Sequence, residues 1–236
     1  MDYFQLLLLA HVIGDFTLQT DTIFRLKQKS PWGVPLHVLI CSLVTAALLH
    51  PLLGRPALWL ALVFIALVHF TLDRTKLFLA AFRAKDGLGY FFTDQALHVL
   101  SLLGTARYLQ WALPHESFWL SPALTVDLTA LVVAGFAVPP ILNYIQRALA
   151  VRGRQASHPP FPSFRRRLPG ILSRMIATAG LLLGGWYVFL VLALLTALVA
   201  PMTAPGKHKG YLAAELVTSS AVVLFAALIT WYLRLS

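Results

Sequence analysis

The chain of 236 residues is 58% hydrophobic and only 12% charged, and it carries a formal net charge of +10 at pH 7. The positive charge alone would suit a soluble nucleic-acid-binding protein. The composition argues against that class, because no soluble fold hides so much apolar sequence. The single cysteine, Cys41, excludes an internal disulfide and a cysteine-based metal cage. We therefore expect an all-α, polytopic transmembrane helical bundle.

Apolar stretches long enough to cross a bilayer recur along the whole chain. Gly184-Gly185 suits a hairpin between two spans, but one tilted helix over 168–201 would leave seven spans instead of eight. Pro139 and Pro140 are expected to kink the fifth helix, because proline lacks a backbone donor. The eight predicted spans lie near residues 3–20, 35–53, 57–82, 94–112, 122–148, 168–183, 186–201 and 210–234.

The basic residues predict the orientation of these spans, since most of the 19 Lys and Arg residues fall in alternate connections. The positive-inside rule then places the N-terminus outside, and eight spans also place the C-terminus outside. The arginine run at 165–167 is more typical of a topology determinant than of a site for nucleic acid or anionic lipid. The predicted cytoplasmic connections are residues 21–34, 83–93, 149–167 and 202–209.

Histidine and aspartate side chains interrupt the first four spans near their cytoplasmic ends. Residues at i and i+4 lie on the same face of a helix, so a His/Asp pair at that spacing can direct two ligands into one space. Three spans carry such a pair and one carries a single histidine. These residues are His11, Asp15, His37, His69, Asp73, Asp94 and His98. We expect them to form one cluster within a four-helix unit, residues 1–112, followed by the C-terminal helices, residues 113–236.

The donor types of this cluster favour a metal site. Helix bundles build such sites from inward imidazoles and carboxylates, and a bound ion neutralises groups that are costly inside a membrane. Four histidines and three aspartates suit one or two divalent ions, with Zn, Mn or Fe favoured. A metal-free proton or ion relay and a structural polar network are the alternatives. His37 alone, at a helix end, would be more typical of an interfacial histidine.

Several separated motifs carry a resemblance to a known family. The stretches are HVIGDFTLQTD at 11–21, a following lysine at Lys27 or Lys29, HFTLDRTK at 69–76 and DQALH at 94–98. In this order they resemble the domain of unknown function 3307 family of bacterial polytopic membrane proteins. The stretch LPGILSRMI is similar to a later family segment, with Ser173 where the family has glutamate. The resemblance implies a multi-pass protein of the bacterial cytoplasmic (inner) membrane, and it implies no established reaction. A looser similarity is to membrane-bound metal-dependent hydrolases.

The leading functional hypothesis is a membrane-embedded metal-dependent hydrolase, which acts at the cytoplasmic side on a phosphoester or lipid-borne substrate. The ions would activate water, with Asp15, Asp94 and Lys76 as the expected catalytic residues. Lys76 or Arg74 would hold a phosphate or stabilise negative charge. The alternative is a proton- or ion-coupled transporter that uses the cluster as a relay, and a third class is a non-catalytic scaffold. The expected partners are membrane lipid and a small or lipid-linked substrate, without nucleic acid. The oligomeric state stays open.

Overall fold

The computed structural model describes residues 3–83, 87–114, 118–152 and 163–183, and all regular secondary structure in these ranges is helical. The prediction of an all-α protein is therefore confirmed for the described part of the chain. The seventh and eighth predicted spans, the Gly184-Gly185 hairpin and most of the connection 149–167 lie outside the described residues. The chain divides into two compact units, residues 1–125 and 126–236.

The first unit contains five α-helices. Helix α1 (Tyr3–Val12) continues into a π-helical turn (Ile13–Thr17), and α3 (Gly33–Leu48) is followed by a 3-10 turn (His50–Leu52). The others are α2 (Asp21–Lys29), α4 (Pro56–Arg83) and α5 (Leu88–Ala112). Within the described residues, two helices are long and apolar enough to cross a membrane, Pro56–Ala81 and Pro122–Ile145, while Tyr3–Thr17 and Gly33–Leu48 are shorter apolar helices.

Helix α1 forms the interior of the first unit. Its residues Leu6, Leu7 and Leu9 are at most 1% exposed, and the helix packs against α3 and α5. The Tyr3 hydroxyl donates a hydrogen bond to the carbonyl of Leu113 at 2.8 Å and so fixes the start of α1 to the end of α5. Helix α4 packs between α3 and α5. The polar end of α1 is thereby surrounded by three helices.

The π-helical turn at the end of α1 brings the chain unusually close to α3. A Cβ atom at Gly14 would lie 2.7 Å from the Sγ atom of Cys41, so only glycine fits there without a shift. π-helical turns are frequent at functional sites, because the extra residue redirects the side chains that follow. Asp15, the next residue, is buried against the same helix.

Helix α2 lies in the connection 21–34, where no helix was predicted. Thr20 is its N-cap, with a side-chain oxygen that accepts a hydrogen bond from the Ile23 amide. A Cβ atom at Gly33 would collide with the backbone of Leu26 and Lys27. Glycine at this position therefore permits α2 to pack directly on the start of α3, and this packing determines where Lys27 points.

The second unit holds the prolines that were expected to kink the fifth helix. Helix α6 (Pro122–Val132) passes through a π-helical turn (Val133–Ala137) into α7 (Val138–Arg152), and α8 (Phe164–Leu182) follows. The irregular turn directly precedes Pro139 and Pro140.

Buried Arg174 of α8 donates hydrogen bonds to backbone carbonyls of this turn that lack a helical N–H partner. Its Nε atom donates to the carbonyl of Ala134 at 2.9 Å and its Nη2 atom to that of Gly135 at 3.3 Å. Pro139 has no N–H group, so it cannot donate to Gly135 in an α-helical pattern or to Ala134 in a π-helical one. The guanidinium supplies the missing donors.

Candidate metal centre

Asp15 lies at the centre of the polar cluster. Its Oδ1 atom is 3.0 Å from Nε2 of His37 and 3.2 Å from Nε2 of His69. The two imidazole nitrogens are 3.3 Å apart. The π-helical turn, α3 and α4 each contribute one of these three donor atoms, and all three side chains are buried. Packing between these elements, and not the i,i+4 spacing within one helix, therefore brings the triangle of three donor atoms together.

Asp73 adds a fourth donor atom beside the triangle. Its Oδ2 atom is 3.7 Å from Nε2 of both His37 and His69. A tetrahedral ion with bonds of about 2.0–2.2 Å places its ligand atoms about 3.3–3.6 Å apart. The separations that involve an imidazole nitrogen, 3.0 to 3.7 Å, bracket this value. These buried side chains can hold a metal ion.

Cys41 is a further donor that the sequence interpretation did not include. Its Sγ atom is 3.7 Å from Nε2 of His37. Together with Asp15, His37 and His69 it forms a buried group whose potential ligand atoms all lie within 4.8 Å of one another. Cys41 follows His37 by four residues on the same helix, so the i,i+4 spacing that selected the His/Asp pairs could also have identified it.

His98 presents a nitrogen that suits a metal ligand. Its Nδ1 atom lies 2.8 Å from the backbone carbonyl of Asp94, which can only accept, so Nδ1 carries the proton. The Nε2 atom then holds a lone pair, and it is buried without a hydrogen-bond partner among the described residues. A backbone carbonyl often fixes the tautomer of a metal-ligating histidine in this way. His69, Asp73 and His98 form a second group of potential ligands.

Gln95 connects the centre of the cluster to its edge. Its amide nitrogen donates to Oδ2 of Asp15 at 3.1 Å and to Oδ2 of Asp94 at 3.3 Å. Its Oε1 atom is 3.3 Å from Nε2 of His11, which must be the donor in that contact. The structure thus places His11 beside Asp15 through Gln95, with the His11 ring stacked on that of His98. The motif DQALH contained Gln95, but no rule of spacing selected it.

Asp94 and Lys76 lie together at the margin of the cluster. The Lys76 ammonium is 2.8 Å from Oδ2 of Asp94 and lies over the ring of Phe91, 5.3 Å from its centroid. The Lys76 side chain is 27% exposed and Asp94 is buried. These two predicted catalytic residues are therefore adjacent, and Gln95 links Asp94 to Asp15.

Lys27 brings a second ammonium into the cluster from α2. Its Nζ atom is 2.6 Å from Oδ2 of Asp73 and 2.7 Å from Oε1 of Gln19. The family resemblance suggested Lys27 or Lys29 as a relevant lysine, and Lys27 is the one that enters the site. Gln19, near the end of the first predicted span, accepts a hydrogen bond from the Lys27 ammonium and so orients it. Arg74, the other predicted phosphate-binding residue, is exposed one position beyond Asp73.

Comparison with known proteins supports one assignment. A family model described as Protein of unknown function (DUF3307) matches residues 3–126, a range that contains the whole cluster. Searches of curated proteins and of solved structures found no match. The match spans more than half of the chain, and it confirms the family that the motifs resemble. The chain belongs to the DUF3307 family.

Proposed function

We propose that this protein is a multi-pass membrane protein of the bacterial inner membrane and a metal-dependent hydrolase. The site is the polar cluster of the first unit, open to the cytoplasmic side, and the substrate is a phosphoester. The observation that carries the proposal is that the carboxylates of Asp15 and Asp73 both approach the Nε2 atoms of His37 and His69, at 3.0 to 3.7 Å.

The exposed face of α4 supports a membrane location. Five large apolar side chains of this helix are each about half exposed or more, Trp59, Leu60, Val63, Phe64 and Leu67. Soluble monomers rarely present so large a contiguous apolar surface to water. Lipid is the solvent that suits this face, while the polar cluster faces the interior of the bundle, as ionisable groups in membranes generally do.

The charge of the cluster supports an anionic substrate. With neutral imidazoles, Asp15, Asp73 and Asp94 oppose two ammonium groups, Lys27 and Lys76, so the site has one negative charge in excess. One divalent ion would reverse this to one positive charge. A phosphoester would then neutralise the site, which favours it over a neutral substrate in a region of low dielectric.

The roles of the residues follow from their positions. A bound divalent ion supplies Lewis acidity and an activated water. Asp15 and Asp73 would hold it with His37 and His69, and His98 offers its free Nε2 atom to the same ion or to a second one. Mixed nitrogen and oxygen donors favour Zn, Mn or Fe. Lys76 would stabilise negative charge on the phosphoryl group, with Asp94 holding its ammonium in place.

The test is metal content measured beside phosphoesterase activity. Purified wild-type protein in detergent should contain stoichiometric Zn, Mn or Fe and should hydrolyse bis(p-nitrophenyl) phosphate. Asp15→Asn keeps the size of the side chain but removes an anionic ligand, so metal and activity should both disappear. Asp21→Asn, in the first turn of α2, removes a carboxylate outside the cluster and should retain both. A wild-type protein without metal would refute the proposal.

One observation favours a second candidate, a proton relay in an ion-coupled transporter. The rings of His37, His69, His98 and His11 follow one another with centroid separations of 5.1, 4.4 and 5.2 Å. Chains of histidine and aspartate conduct protons in pumps and transporters. Metal-free protein in vesicles would then dissipate a pH gradient, and His69→Ala would abolish the effect. If the protein is a metal-dependent hydrolase, we expect no proton flux across the vesicle membrane.

A further inference from the structure

Cys41 presents its sulfur atom to the polar cluster from α3. It follows His37 by four residues, so the two side chains lie on one face of the helix. The residue is 6% exposed. A buried cysteine usually packs as a small apolar residue. The sulfur of Cys41 instead lies among potential ligands, because Asp15, His37 and His69 each place a donor atom within 4.8 Å of it.

The separation between sulfur and nitrogen suits one shared ion. A tetrahedral zinc ion, bonded to sulfur at about 2.3 Å and to nitrogen at about 2.0–2.1 Å, places these two ligand atoms about 3.5–3.6 Å apart. The Sγ atom of Cys41 lies 3.7 Å from Nε2 of His37. The same nitrogen is 3.0 Å from Oδ1 of Asp15 and 3.3 Å from Nε2 of His69. One ion therefore has four donor atoms within reach.

Gly14 permits the carboxylate and the sulfur to enter one space. A Cβ atom at Gly14 would lie 2.7 Å from Sγ of Cys41 and 3.2 Å from its Cα atom. The π-helical turn therefore lies directly on Cys41, and Asp15 is the next residue of that turn. A larger side chain at position 14 would overpack this contact and push the turn away from α3.

An independent observation points to a cation in the same cluster. The Nε2 atom of His98 is buried and has no hydrogen-bond partner in the described part of the chain. His98 belongs to a second group of potential ligands, which shares His69 with the group of Cys41. Asp73, the third member of that group, is already 2.6 Å from the Lys27 ammonium. Coordination by Cys41, in contrast to coordination by Asp73, does not require this ammonium to move.

We propose that Cys41 binds the metal ion as a thiolate, together with Asp15, His37 and His69, and that this ligand makes the site selective for zinc over manganese. The inference rests on the proposed function, from which it takes the ion, and it adds one ligand. The metal–sulfur bond forms as the thiol loses its proton to water. Thiolates suit zinc, whereas manganese suits sites built from carboxylate, carbonyl and water oxygens.

The thiolate also changes the charge of the loaded cluster. Three aspartates and one thiolate then oppose two ammonium groups and one divalent ion, so the charges balance. Balanced charges lower the cost of burying such a cluster. An anionic substrate would then be attracted by Lys76, whose side chain is 27% exposed at the margin, and not by the net charge of the site.

X-ray absorption at the zinc edge detects the sulfur ligand directly. The sample is the full chain in neutral detergent, loaded with one equivalent of Zn²⁺. We expect one zinc–sulfur distance of about 2.3 Å beside nitrogen and oxygen ligands at about 2.0–2.2 Å. Cys41→Ser should lose the sulfur distance and keep the other ligands. Met175→Leu removes a sulfur atom of α8 and should leave the zinc–sulfur distance unchanged.

Competition between Zn²⁺ and Mn²⁺ measures the selectivity. Cys41→Ser should weaken zinc at least about tenfold, since even the loss of a residue that supports a ligand has an effect of this size. Manganese affinity should fall less, so the ratio of the two affinities should decrease. Cys41→Ala should show the same decrease, and it avoids a hydroxyl group in the buried contact with Gly14.

Three results would overturn the inference. They are a wild-type zinc spectrum with only nitrogen and oxygen ligands, a Cys41→Ser spectrum identical to that of wild type, and equal losses of zinc and manganese affinity in both variants. Phosphoesterase activity is measured on the same samples. Activity with zinc that has no sulfur ligand would refute the thiolate and keep the hydrolase. A zinc–sulfur bond without activity would do the reverse, and a protein that binds no zinc would refute both.

Discussion

At the residue scale, histidine and glutamine side chains surround the buried carboxylate of Asp15. His37 and His69 face one of its oxygens and Gln95 donates to the other. No lysine contacts Asp15 among the described residues; the ammonium groups pair instead with Asp73 and Asp94. A buried carboxylate without a lysine or arginine partner is costly, so a metal ion beside Asp15 would stabilise the fold.

Gln95→Met tests how far the metal ligands depend on their neighbours. The substitution keeps the length of the side chain but leaves Asp15 and His11 without this hydrogen-bond partner. We expect metal affinity to fall about 10–100-fold and the free energy of unfolding to fall by about 1–3 kcal/mol. Metal titration and thermal unfolding measure the two effects. Gln28→Met, on the exposed face of α2, is the control, and equal behaviour of the two variants would argue against a supporting role for Gln95.

The spacing of the cluster residues predicted much of this site and missed the rest for a definable reason. His11 and Asp15, like His69 and Asp73, share a helix face, so the i,i+4 rule places each pair together. Lys27 and Gln95 contact residues on other helices, so their positions in the site depend on how the helices pack. The periodicity within one helix does not encode such contacts. Cys41, in contrast, has the i,i+4 spacing from His37.

At the element scale, two helices begin earlier than predicted. Helix α5 begins at Leu88 and not near 94, although residues 88–93 are mostly apolar. Helix α8 begins at Phe164 and not near 168, because its first turn contains three arginines. The hydropathy pattern detects the apolar part of a helix and ends where polar residues begin. For the same reason it missed α2, which is short and mostly polar, and the two π-helical turns, which have no hydropathy signal.

Gly33→Ala should displace α2 from the site. The added methyl group would collide with the backbone of Leu26 and Lys27, and overpacking of this kind costs about 1–3 kcal/mol of stability. Because Lys27 would move from Asp73, the variant should also change metal affinity. Gly54→Ala is the matched control, since nothing lies within 4 Å of a Cβ atom there. Thermal unfolding of both variants is the measurement, and equal stability would show that α2 adjusts freely.

The pairing of Arg174 with the turn before Pro139 and Pro140 can be tested by a double-mutant cycle. Arg174→Met leaves two backbone carbonyls without these donors and should lower the free energy of unfolding by about 2–4 kcal/mol. In a Pro139→Ala/Pro140→Ala background the backbone regains its own donors, so the same substitution should cost less. Unfolding in mixed micelles gives the four values. An identical cost in both backgrounds would mean that Arg174 acts through other contacts.

At the scale of the whole molecule, the orientation of the chain decides which compartment reaches the cluster. The residues that connect α2 to α3 and those that connect α3 to α4 must lie on opposite sides if α3 spans the membrane. The positive-inside rule assigns the first connection to the cytoplasm. The candidate metal centre would then open to the cytoplasmic side.

Cysteine labelling in intact cells tests this orientation. Cys41 is buried and is replaced by alanine, and single cysteines are introduced as Ser30→Cys or Gly54→Cys. A membrane-impermeant maleimide should label position 54 in intact cells and position 30 only after permeabilisation. The reverse pattern would invert the orientation, and labelling of both positions in intact cells would show that α3 does not cross the membrane.

The contact between Lys27 and Asp73 would turn metal binding into an exchange of cations. A metal ion that binds Asp73 would have to displace the Lys27 ammonium, so its observed affinity would be lowered by the strength of the ion pair. Weakly coordinating ions such as Mg²⁺ would lose this competition, whereas ions with strong affinity for imidazole would displace the ammonium. Discrimination among metals would therefore arise partly from competition with Lys27. The displaced ammonium would become available to an anion only after the metal has been bound.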